Sequence, residues 1–184
     1  MSLTLLLGGA RSGKSRLAVE LAEARRSTVV YLATGEPRDE EMRARIELHR
    51  AERPGAWETV EEPLELERAI RGAAADACLV VDCLSLWVSN ALEQHPAEQV
   101  EALGAAAAEA AASRAGLTIA VSNEVGLGIV PPHTGVVDGV QERGFRIDFL
   151  SWTTASSRVS RTVAVRHQIG RQRFLGRSSG VSLG

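Results

Sequence analysis

The stretch that decides the fold is Gly8-Gly9-Ala10-Arg11-Ser12-Gly13-Lys14-Ser15, which directly follows the apolar run Leu3–Leu7. It matches the phosphate-binding pattern G-x-x-x-x-G-K-[ST] at every fixed position. Backbone N–H groups of such a loop wrap a phosphate, and the helix after the loop offers its positive N-terminal end to the same anion. The pattern therefore predicts that Lys14 reaches the outer phosphates of a nucleotide and that the Ser15 hydroxyl binds Mg²⁺.

The bulk composition bounds the class of protein. A length of 184 residues with 45% hydrophobic side chains suits one α/β domain. The net charge of -2 gives no indication of a nucleic-acid or membrane partner. Cys78 and Cys83 are five residues apart on one apparent strand, so their side chains are expected to point to opposite faces of the sheet. No disulfide between them is expected, which is consistent with a reducing cytoplasm. We expect a cytoplasmic protein, because the N-terminal apolar run is too short for a signal peptide and no run approaches the roughly 20 residues of a membrane span.

Hydrophobic periodicity predicts alternating strands and helices, which is typical of an α/β fold with a parallel sheet. Strands are predicted at Leu3–Leu7, Thr28–Ala33, Cys78–Asp82 and Leu117–Ser122, with a short extended piece at Trp57–Val60. Helices are predicted at Lys14–Arg26, Glu40–Glu52, Leu64–Ala74, Ser85–Leu92 and Ala97–Ser113. The helix Glu40–Glu52, with Asp39 as its N-cap, is expected to turn Met42, Ala44 and Ile46 inward.

Asp82 ends a predicted strand, so it lies at the sheet edge where α/β proteins place their ligands. Four apolar residues followed by Asp, one strand away from a phosphate loop, form the pattern that orients Mg²⁺ in such enzymes. The alternative is that Asp82 only caps the helix predicted to begin at Ser85. Because a phosphate loop is present, the Mg²⁺ role is favoured.

His49 is the most informative single residue outside the loop. Arg45, His49 and Arg53 follow one another at intervals of four residues, so on a helix they share one face. Guanidinium charges beside an imidazole favour its neutral form, which is the nucleophilic one. The same arginines would gather a polyphosphate, so the cluster suits attack on a nucleotide α-phosphate. The alternative from spacing alone is a surface histidine on a solvated helix.

The remaining acidic residues carry weaker signals. Glu61 and Glu62 follow the extended piece and either bind a ribose or a metal, or form a solvated turn. Glu124 follows the strand Leu117–Ser122 at the edge expected of a catalytic carboxylate, although the pattern is unspecific. The chain has no N-K-x-D motif, so guanine selectivity does not follow from the usual GTPase signature, and no Cys/His cluster has zinc spacing.

Five segments together resemble one family, the bifunctional adenosylcobinamide kinase/adenosylcobinamide-phosphate guanylyltransferases of cobalamin assembly. The segments are Gly8–Arg16, Tyr31–Thr34, Asp39–Glu62, Val81–Asn90 and Val121–Pro131. They keep the family's order and spacing. The string Arg-Ile-x-x-His-Arg-x-x-Arg-Pro-x-x-Trp in the third segment is far more specific than a phosphate loop alone.

The resemblance implies a fold, two reactions and a set of residues. The fold is a P-loop NTPase (RecA-like) α/β three-layer sandwich with a mostly parallel central sheet, assembled as a homotrimer. The reactions are phosphorylation of the aminopropanol hydroxyl of adenosylcobinamide by ATP or GTP, and transfer of GMP from GTP through a guanylyl-histidine to give adenosyl-GDP-cobinamide and pyrophosphate. The histidine that carries the nucleotide aligns with His49, beside Lys14 as the other catalytic residue and Mg²⁺ on Ser15 and Asp82. The implied nucleotide contacts are Gly8, Gly9, Ala10, Arg11, Ser12, Gly13, Lys14, Ser15, Ala33, Thr34, Gly35, Arg50, Ala51, Glu52, Arg53, Glu61 and Asp82.

The C-terminal part departs from the family pattern. Residues 1–133 are predicted to form the P-loop kinase/guanylyltransferase domain, and 134–184 an atypical segment that lacks the family's Arg-x-Phe-Arg-Asp and Gly-x-x-Asn-Gln motifs. That segment is either an aberrant, poorly ordered terminus, such as one made by a reading-frame change near residue 134, or a divergent tail; a strand is predicted at Arg161–Ile169. Two rival functions remain open at this point: a simple P-loop small-molecule kinase, or a catalytically impaired GTP-binding module.

Overall fold

In a computed structural model of the chain, the structure describes residues 2–9, 11–123 and 159–164. The strands within these residues are β1 (Ser2–Gly8), β2 (Val29–Ala33), β3 (Glu58–Glu61), β4 (Cys78–Asp82), β5 (Leu117–Asn123) and β6 (Val159–Ala164). The helices are α1 (Lys14–Glu23), α2 (Glu40–Ala51), α3 (Leu66–Gly72), α4 (Leu84–Gln94) and α5 (Ala97–Ser113).

The strands form one six-stranded sheet in the order β3-β2-β4-β5-β1-β6. Every neighbouring pair is parallel, so the carboxyl ends of all these strands lie at the same edge. One strand, β5, separates β1, which leads into the phosphate loop, from β4, which ends in Asp82. This topology puts both elements on one edge of the sheet without making them neighbours.

The sheet is covered on both faces, which gives three layers. One face packs against α3, α4 and α5 through a core that includes Leu5, Leu32, Leu66, Ile70 and Trp87. The other face packs against α1 through a core that includes Leu6, Tyr31, Val80, Ala18 and Ala22. Apolar strands buried on both faces are typical of parallel sheets. The predicted α/β sandwich with a parallel central sheet is therefore confirmed.

Several predicted boundaries were wrong for local reasons. Helix α1 ends at Glu23 rather than Arg26, because Arg26 takes a left-handed φ of 52°. Helix α3 begins at Leu66 rather than Leu64, because the Glu62 carboxylate accepts hydrogen bonds from the backbone N–H groups that precede the helix. The inward facing predicted for Ala44 was also wrong, since α2 contains no buried residue and Ala44 is exposed.

Some predictions fall on residues outside the described ranges. These are the contact at Ala10, the carboxylate Glu124, and most of the C-terminal segment. Within that segment the backbone of β6 pairs with β1, and the register aligns Thr4 with Arg161 and Leu7 with Ala164. In the described part of the chain, no helix combines the length and apolar character needed to cross a bilayer.

Candidate active site

The carboxyl ends of five strands assemble the floor of the candidate site. Register places Gly8 of β1 beside Asn123 of β5, and Ala33 of β2 beside both Asp82 of β4 and Glu61 of β3. The edge of a parallel sheet thus brings together residues that are far apart in sequence, as expected for α/β proteins.

The backbone of the phosphate loop takes a left-handed conformation at Gly13, which favours glycine there. Gly13 takes φ of 88°, a conformation that disfavours any residue with a Cβ, and it is the N-cap of α1. Among the residues that the structure describes, no atom lies within 4 Å of a Cβ built at Gly9 or Gly13. Ser12 is buried and its hydroxyl has no hydrogen-bond partner among the described residues. An anion seated in the loop would supply acceptors for these donors.

The side chain of Lys14 is held beside this loop by a hydrogen bond. Its side chain is only 6% exposed, and its ammonium donates a 3.0 Å hydrogen bond to the Gly9 carbonyl. A buried ammonium needs such partners, because desolvation of an isolated charge is costly. The contact keeps the cation beside the backbone that would cradle a phosphate.

One cavity of about 240 Å³ joins the loop to helix α2. It is lined by nine of the predicted site residues: Lys14, Ser15, Ala33, Gly35, His49, Arg50, Arg53, Glu61 and Asp82. The other predicted contacts in the described residues do not line it: Gly8, Gly9, Arg11, Ser12, Gly13, Thr34, Ala51 and Glu52. The cavity therefore brings together the phosphate loop and the helix that carries His49.

Helix α2 reaches over the sheet edge because of its local interactions. The Asp39 side chain accepts a 2.7 Å hydrogen bond from the Met42 N–H and caps the helix. A Cβ at Gly35 would lie 3.6 Å from Ile46 Cδ1, so this glycine lets α2 approach the end of β2 closely. Met42 and Ile46 line the cavity beside His49. The helix thus contributes a wall of the site while burying none of its residues in the core.

His49 faces Asp82 across the cavity. The His49 Nδ1 atom lies 4.0 Å from Asp82 Oδ2, beyond hydrogen-bond range, and the two side chains are 30% and 12% exposed. The imidazole is therefore accessible from the cavity rather than packed in the core. Arg45 lines the same cavity, as the predicted helical face requires, whereas α2 ends at Ala51 and Arg53 enters from the turn beyond it.

Tyr31 contacts Asp82 directly, and Arg53 packs over the Tyr31 ring. The Tyr31 hydroxyl donates a hydrogen bond to Asp82 Oδ2. The Arg53 guanidinium carbon lies 3.6 Å from the centre of the Tyr31 ring, a cation–π contact. Burial, followed by the charge of Asp82, raises the pKa of Tyr31 well above its usual value, so its hydroxyl remains a donor.

The other charged pair of the cavity lies nearer to solvent. An Arg50 guanidinium N–H donates to the Glu61 carboxylate, and each side chain is more than half exposed. Such an exposed ion pair contributes little to stability, so a ligand can separate it at small cost. Both residues line the cavity and are available to a bound nucleotide.

Thr34 has a structural task in this site. It is 1% exposed, its hydroxyl donates to the Cys83 carbonyl at 2.7 Å, and it accepts from the Cys83 N–H at 2.9 Å. The hydroxyl thus ties the loop after β2 to the loop after β4. Cys83 also lines the cavity, but burial raises the pKa of its thiol to about 11, so at neutral pH it is protonated and a poor nucleophile.

Sequence reasoning missed two residues of this site, Tyr31 and Asn123. Asn123 ends β5, lines the cavity, and donates from Nδ2 to Ser85 Oγ at 2.9 Å, while its Oδ1 is buried without a partner among the described residues. A polar residue that ends an apolar strand was a usable signal for Asn123. A tyrosine inside an apolar strand was a usable signal for Tyr31, since a buried hydroxyl needs a partner.

The residues present fit a magnesium ion bound together with a nucleotide. Ser15 offers a hydroxyl and Asp82 a carboxylate on the same cavity, and Mg²⁺ prefers a few such oxygen ligands completed by water and phosphate. Among the described residues no group of three or more His, Cys, Asp or Glu could hold a metal alone. Ser15 and Asp82 would thus supply two of the ligands of such an ion, and phosphate and water would supply the rest.

A phosphate loop between β1 and α1, with a carboxylate at the end of the next strand but one in a parallel sheet, defines the class of P-loop NTPase-like proteins. Residues 4–138 match the family model described as cobinamide kinase / cobinamide phosphate guanyltransferase. The chain belongs to this family.

Curated relatives agree with that assignment. The bifunctional adenosylcobalamin biosynthesis protein CobP of Pseudomonas aeruginosa is 48% identical over 128 residues, which are 69% of this chain and 74% of that protein. The bifunctional adenosylcobalamin biosynthesis protein CobU of Escherichia coli is 36% identical over 147 residues, covering 70% and 78%. The CobU protein of Salmonella typhimurium is 34% identical over 149 residues, covering 71% and 80%. The predicted family, and with it a kinase and guanylyltransferase of cobalamin biosynthesis, is confirmed.

Proposed function

We propose that this protein phosphorylates adenosylcobinamide with ATP or GTP, and then transfers GMP from GTP to the product through a guanylyl-histidine at His49. The observation that carries the proposal is that His49 lines the same cavity as Lys14 and Ser15 of the phosphate loop. A nucleophile and a phosphate cradle that share one cavity can act on one bound triphosphate.

In the kinase step, the loop and Lys14 hold the β- and γ-phosphates, and Ser15 and Asp82 hold Mg²⁺. When bound by these residues, the cation would neutralise charge that develops on the transferred phosphoryl group. The substrate hydroxyl forms a bond to the γ-phosphorus as the bond to the β-phosphate oxygen breaks, and the hydroxyl proton is released. Catalysis here is mainly positioning, which suits a buried lysine already fixed beside its loop.

In the transfer step, His49 attacks the α-phosphorus of GTP. A P–N bond forms, the bond to the β-phosphate oxygen breaks, and pyrophosphate leaves. Arg50 and Arg53 line the cavity beside His49 and offset the charge of the transition state. A phosphate oxygen of adenosylcobinamide phosphate then attacks the same phosphorus, the P–N bond breaks, and adenosyl-GDP-cobinamide is released.

The nucleotide contacts at Gly8–Ser15, Ala33–Gly35, Arg50–Arg53, Glu61 and Asp82 belong to this proposal. So do the homotrimer and the cytoplasmic location that the family resemblance and the composition predict. The corrinoid enters as a substrate, and neither a nucleic acid nor a membrane is part of the mechanism.

The decisive test is covalent labelling with GTP that carries ³²P at the α-phosphate. We expect an acid-labile, base-stable label on the wild-type chain and none on His49→Ala, because a phosphoramidate is acid-labile. His95→Ala is the matched control, since His95 follows α4 and does not line the cavity; it should label as the wild type does.

Three outcomes would contradict the proposal. A label that survives in His49→Ala would move the nucleophile to another residue. A wild-type chain that phosphorylates adenosylcobinamide without acquiring label would be a simple kinase, and one that binds GTP without either reaction would be the impaired binding module.

A further inference from the structure

We propose that Tyr31 is a positioning residue, whose hydroxyl fixes Asp82, the carboxylate that would hold the Mg²⁺ accompanying the nucleotide in both the phosphoryl-transfer and the guanylyl-transfer step. The inference rests on the proposed function and extends it to a residue that motif analysis did not identify.

The two oxygens of Asp82 have different surroundings. The Tyr31 hydroxyl donates to Oδ2, and His49 Nδ1 lies 4.0 Å from the same Oδ2. Among the described residues, Oδ1 forms no hydrogen bond or ion pair, since both contacts of the carboxylate are on Oδ2. The hydroxyl therefore fixes the orientation of the carboxylate, with Oδ2 directed toward Tyr31 and His49. Oδ1 would then be available to the cation that accompanies a nucleotide.

Tyr31 is itself held rigidly. It lies within β2, is 1% exposed, and packs in the core on the α1 side of the sheet. The register of β2 against β4 pairs Tyr31 with Val80, two residues before Asp82, so the side chains of Tyr31 and Asp82 have a fixed separation. A donor on a buried strand positions its acceptor better than one on a surface loop would.

Arg53 connects this pair to the histidine helix. Its guanidinium lies over the Tyr31 ring, and it comes from the turn directly after α2. A chain of contacts therefore runs from the end of α2 through Tyr31 to Asp82, and returns across the cavity to His49. Loss of the Tyr31 hydroxyl should disturb both steps through Asp82, while the ring and its contact with Arg53 remain.

Tyr31→Phe tests this directly, since it removes the hydroxyl and keeps the ring. We expect kcat for phosphorylation and the rate of His49 labelling each to fall about 10-fold, with little change in KM for the nucleotide, because the lost contact orients a charged group. A purely structural role would instead lower the fraction of folded protein without changing the rates of the folded fraction.

A double-mutant cycle separates action through Asp82 from other effects. In the Asp82→Asn background, Tyr31→Phe should change neither rate further, because the group that it positions is already lost. If the double variant were about 10-fold slower than Asp82→Asn alone, Tyr31 would act independently of Asp82 and the inference would be overturned.

A spectroscopic readout needs no substitution of Tyr31. The chain has one tyrosine, so biosynthetic 3-fluorotyrosine places a single ¹⁹F label at this position. We expect the ¹⁹F resonance to shift when Mg²⁺ and a non-hydrolysable GTP analogue are added together, and to stay unmoved in Asp82→Asn. An equal shift in both chains, or none in the wild type, would contradict the inference.

These results distinguish the inference from the proposed function. If the wild type fails to label at His49, the proposed function fails, whatever the ¹⁹F resonance does. If the wild type labels and Tyr31→Phe labels equally fast, the proposed function stands and the role of Tyr31 is refuted.

Discussion

At the scale of single residues, Arg114 shows how a buried charge is accommodated outside the cavity. Its guanidinium donates four hydrogen bonds of 2.7–3.0 Å to the backbone carbonyls of Ile70, Ala73, Ala74 and Ala77. These carbonyls lie at the end of α3 and in the turn before β4. Burial lowers the pKa of Arg114 from its high usual value, yet arginine stays charged at physiological pH. One side chain thus fixes the entry to the strand that ends in Asp82.

Arg114→Met should lower the free energy of unfolding by about 2–4 kcal/mol, because it leaves buried carbonyls without a donor. Urea denaturation followed by circular dichroism measures this change. Arg16→Met is the matched control, since Arg16 forms only an exposed pair with Glu20 one helical turn away and should cost less than about 0.5 kcal/mol. Equal effects of the two substitutions would show that the carbonyl contacts of Arg114 contribute nothing to stability.

At the scale of elements, helix α2 depends on its own termini for stability. It buries no residue, so core packing does not fix it in place. Its first turn carries Glu40 and Glu41 and its last turn carries His49 and Arg50, an arrangement that favours the helix macrodipole. The Asp39 cap satisfies the Met42 N–H that would otherwise lack a partner.

Asp39→Ala should therefore loosen α2 by about 1 kcal/mol and leave the core intact. We expect faster amide hydrogen exchange within Glu40–Ala51, slower labelling of His49, and a thermal midpoint close to that of the wild type. Asp39→Ser keeps a capping oxygen and should behave as the wild type does. Unchanged exchange in Asp39→Ala, or an equal defect in Asp39→Ser, would contradict this account of the helix.

The same helix shows which parts of the site the sequence could predict. The bounds of β4 and α5 were predicted correctly, because an apolar run and an alanine-rich period are local signals. The burial of Ala44 was not predicted correctly, because the side of α2 that is covered depends on how the helix meets the sheet edge, and Ala44 does not line the cavity whereas Met42 and Ile46 do. Helical periodicity predicts which residues share one face of the helix, but not which element packs against that face.

Tyr31 illustrates a second limit of sequence reasoning. Its partner Asp82 is distant along the chain, and the two meet only because β2 and β4 pair in one particular register. Nothing in the local pattern of either strand encodes that register, which is set by the packing of the whole sheet. Lys14, Ser15 and Asp82 could be predicted because a loop motif and a strand end define their positions without such pairing.

At the scale of the whole molecule, alkaline pH should destabilise the fold through its two buried thiols. Burial raises the pKa of Cys78 and of Cys83 to about 11, whereas a thiol in an unfolded chain titrates near about 8.5. Between these values the unfolded chain releases protons that the folded chain retains. The stabilising contribution is therefore complete below about pH 8.5 and is lost progressively as the pH rises toward 11.

Urea unfolding at about pH 8 and about pH 10 measures this dependence, and we expect a lower free energy of unfolding at the higher pH. Cys78→Ala should flatten the dependence in part, because it removes one titrating group at a site in the core that does not line the cavity. It should also lower stability at pH 8 modestly, since alanine leaves part of the thiol's volume unfilled. A wild type whose stability is the same at both values, or a Cys78→Ala chain that loses stability as steeply as the wild type, would show that the thiol retains no proton on folding.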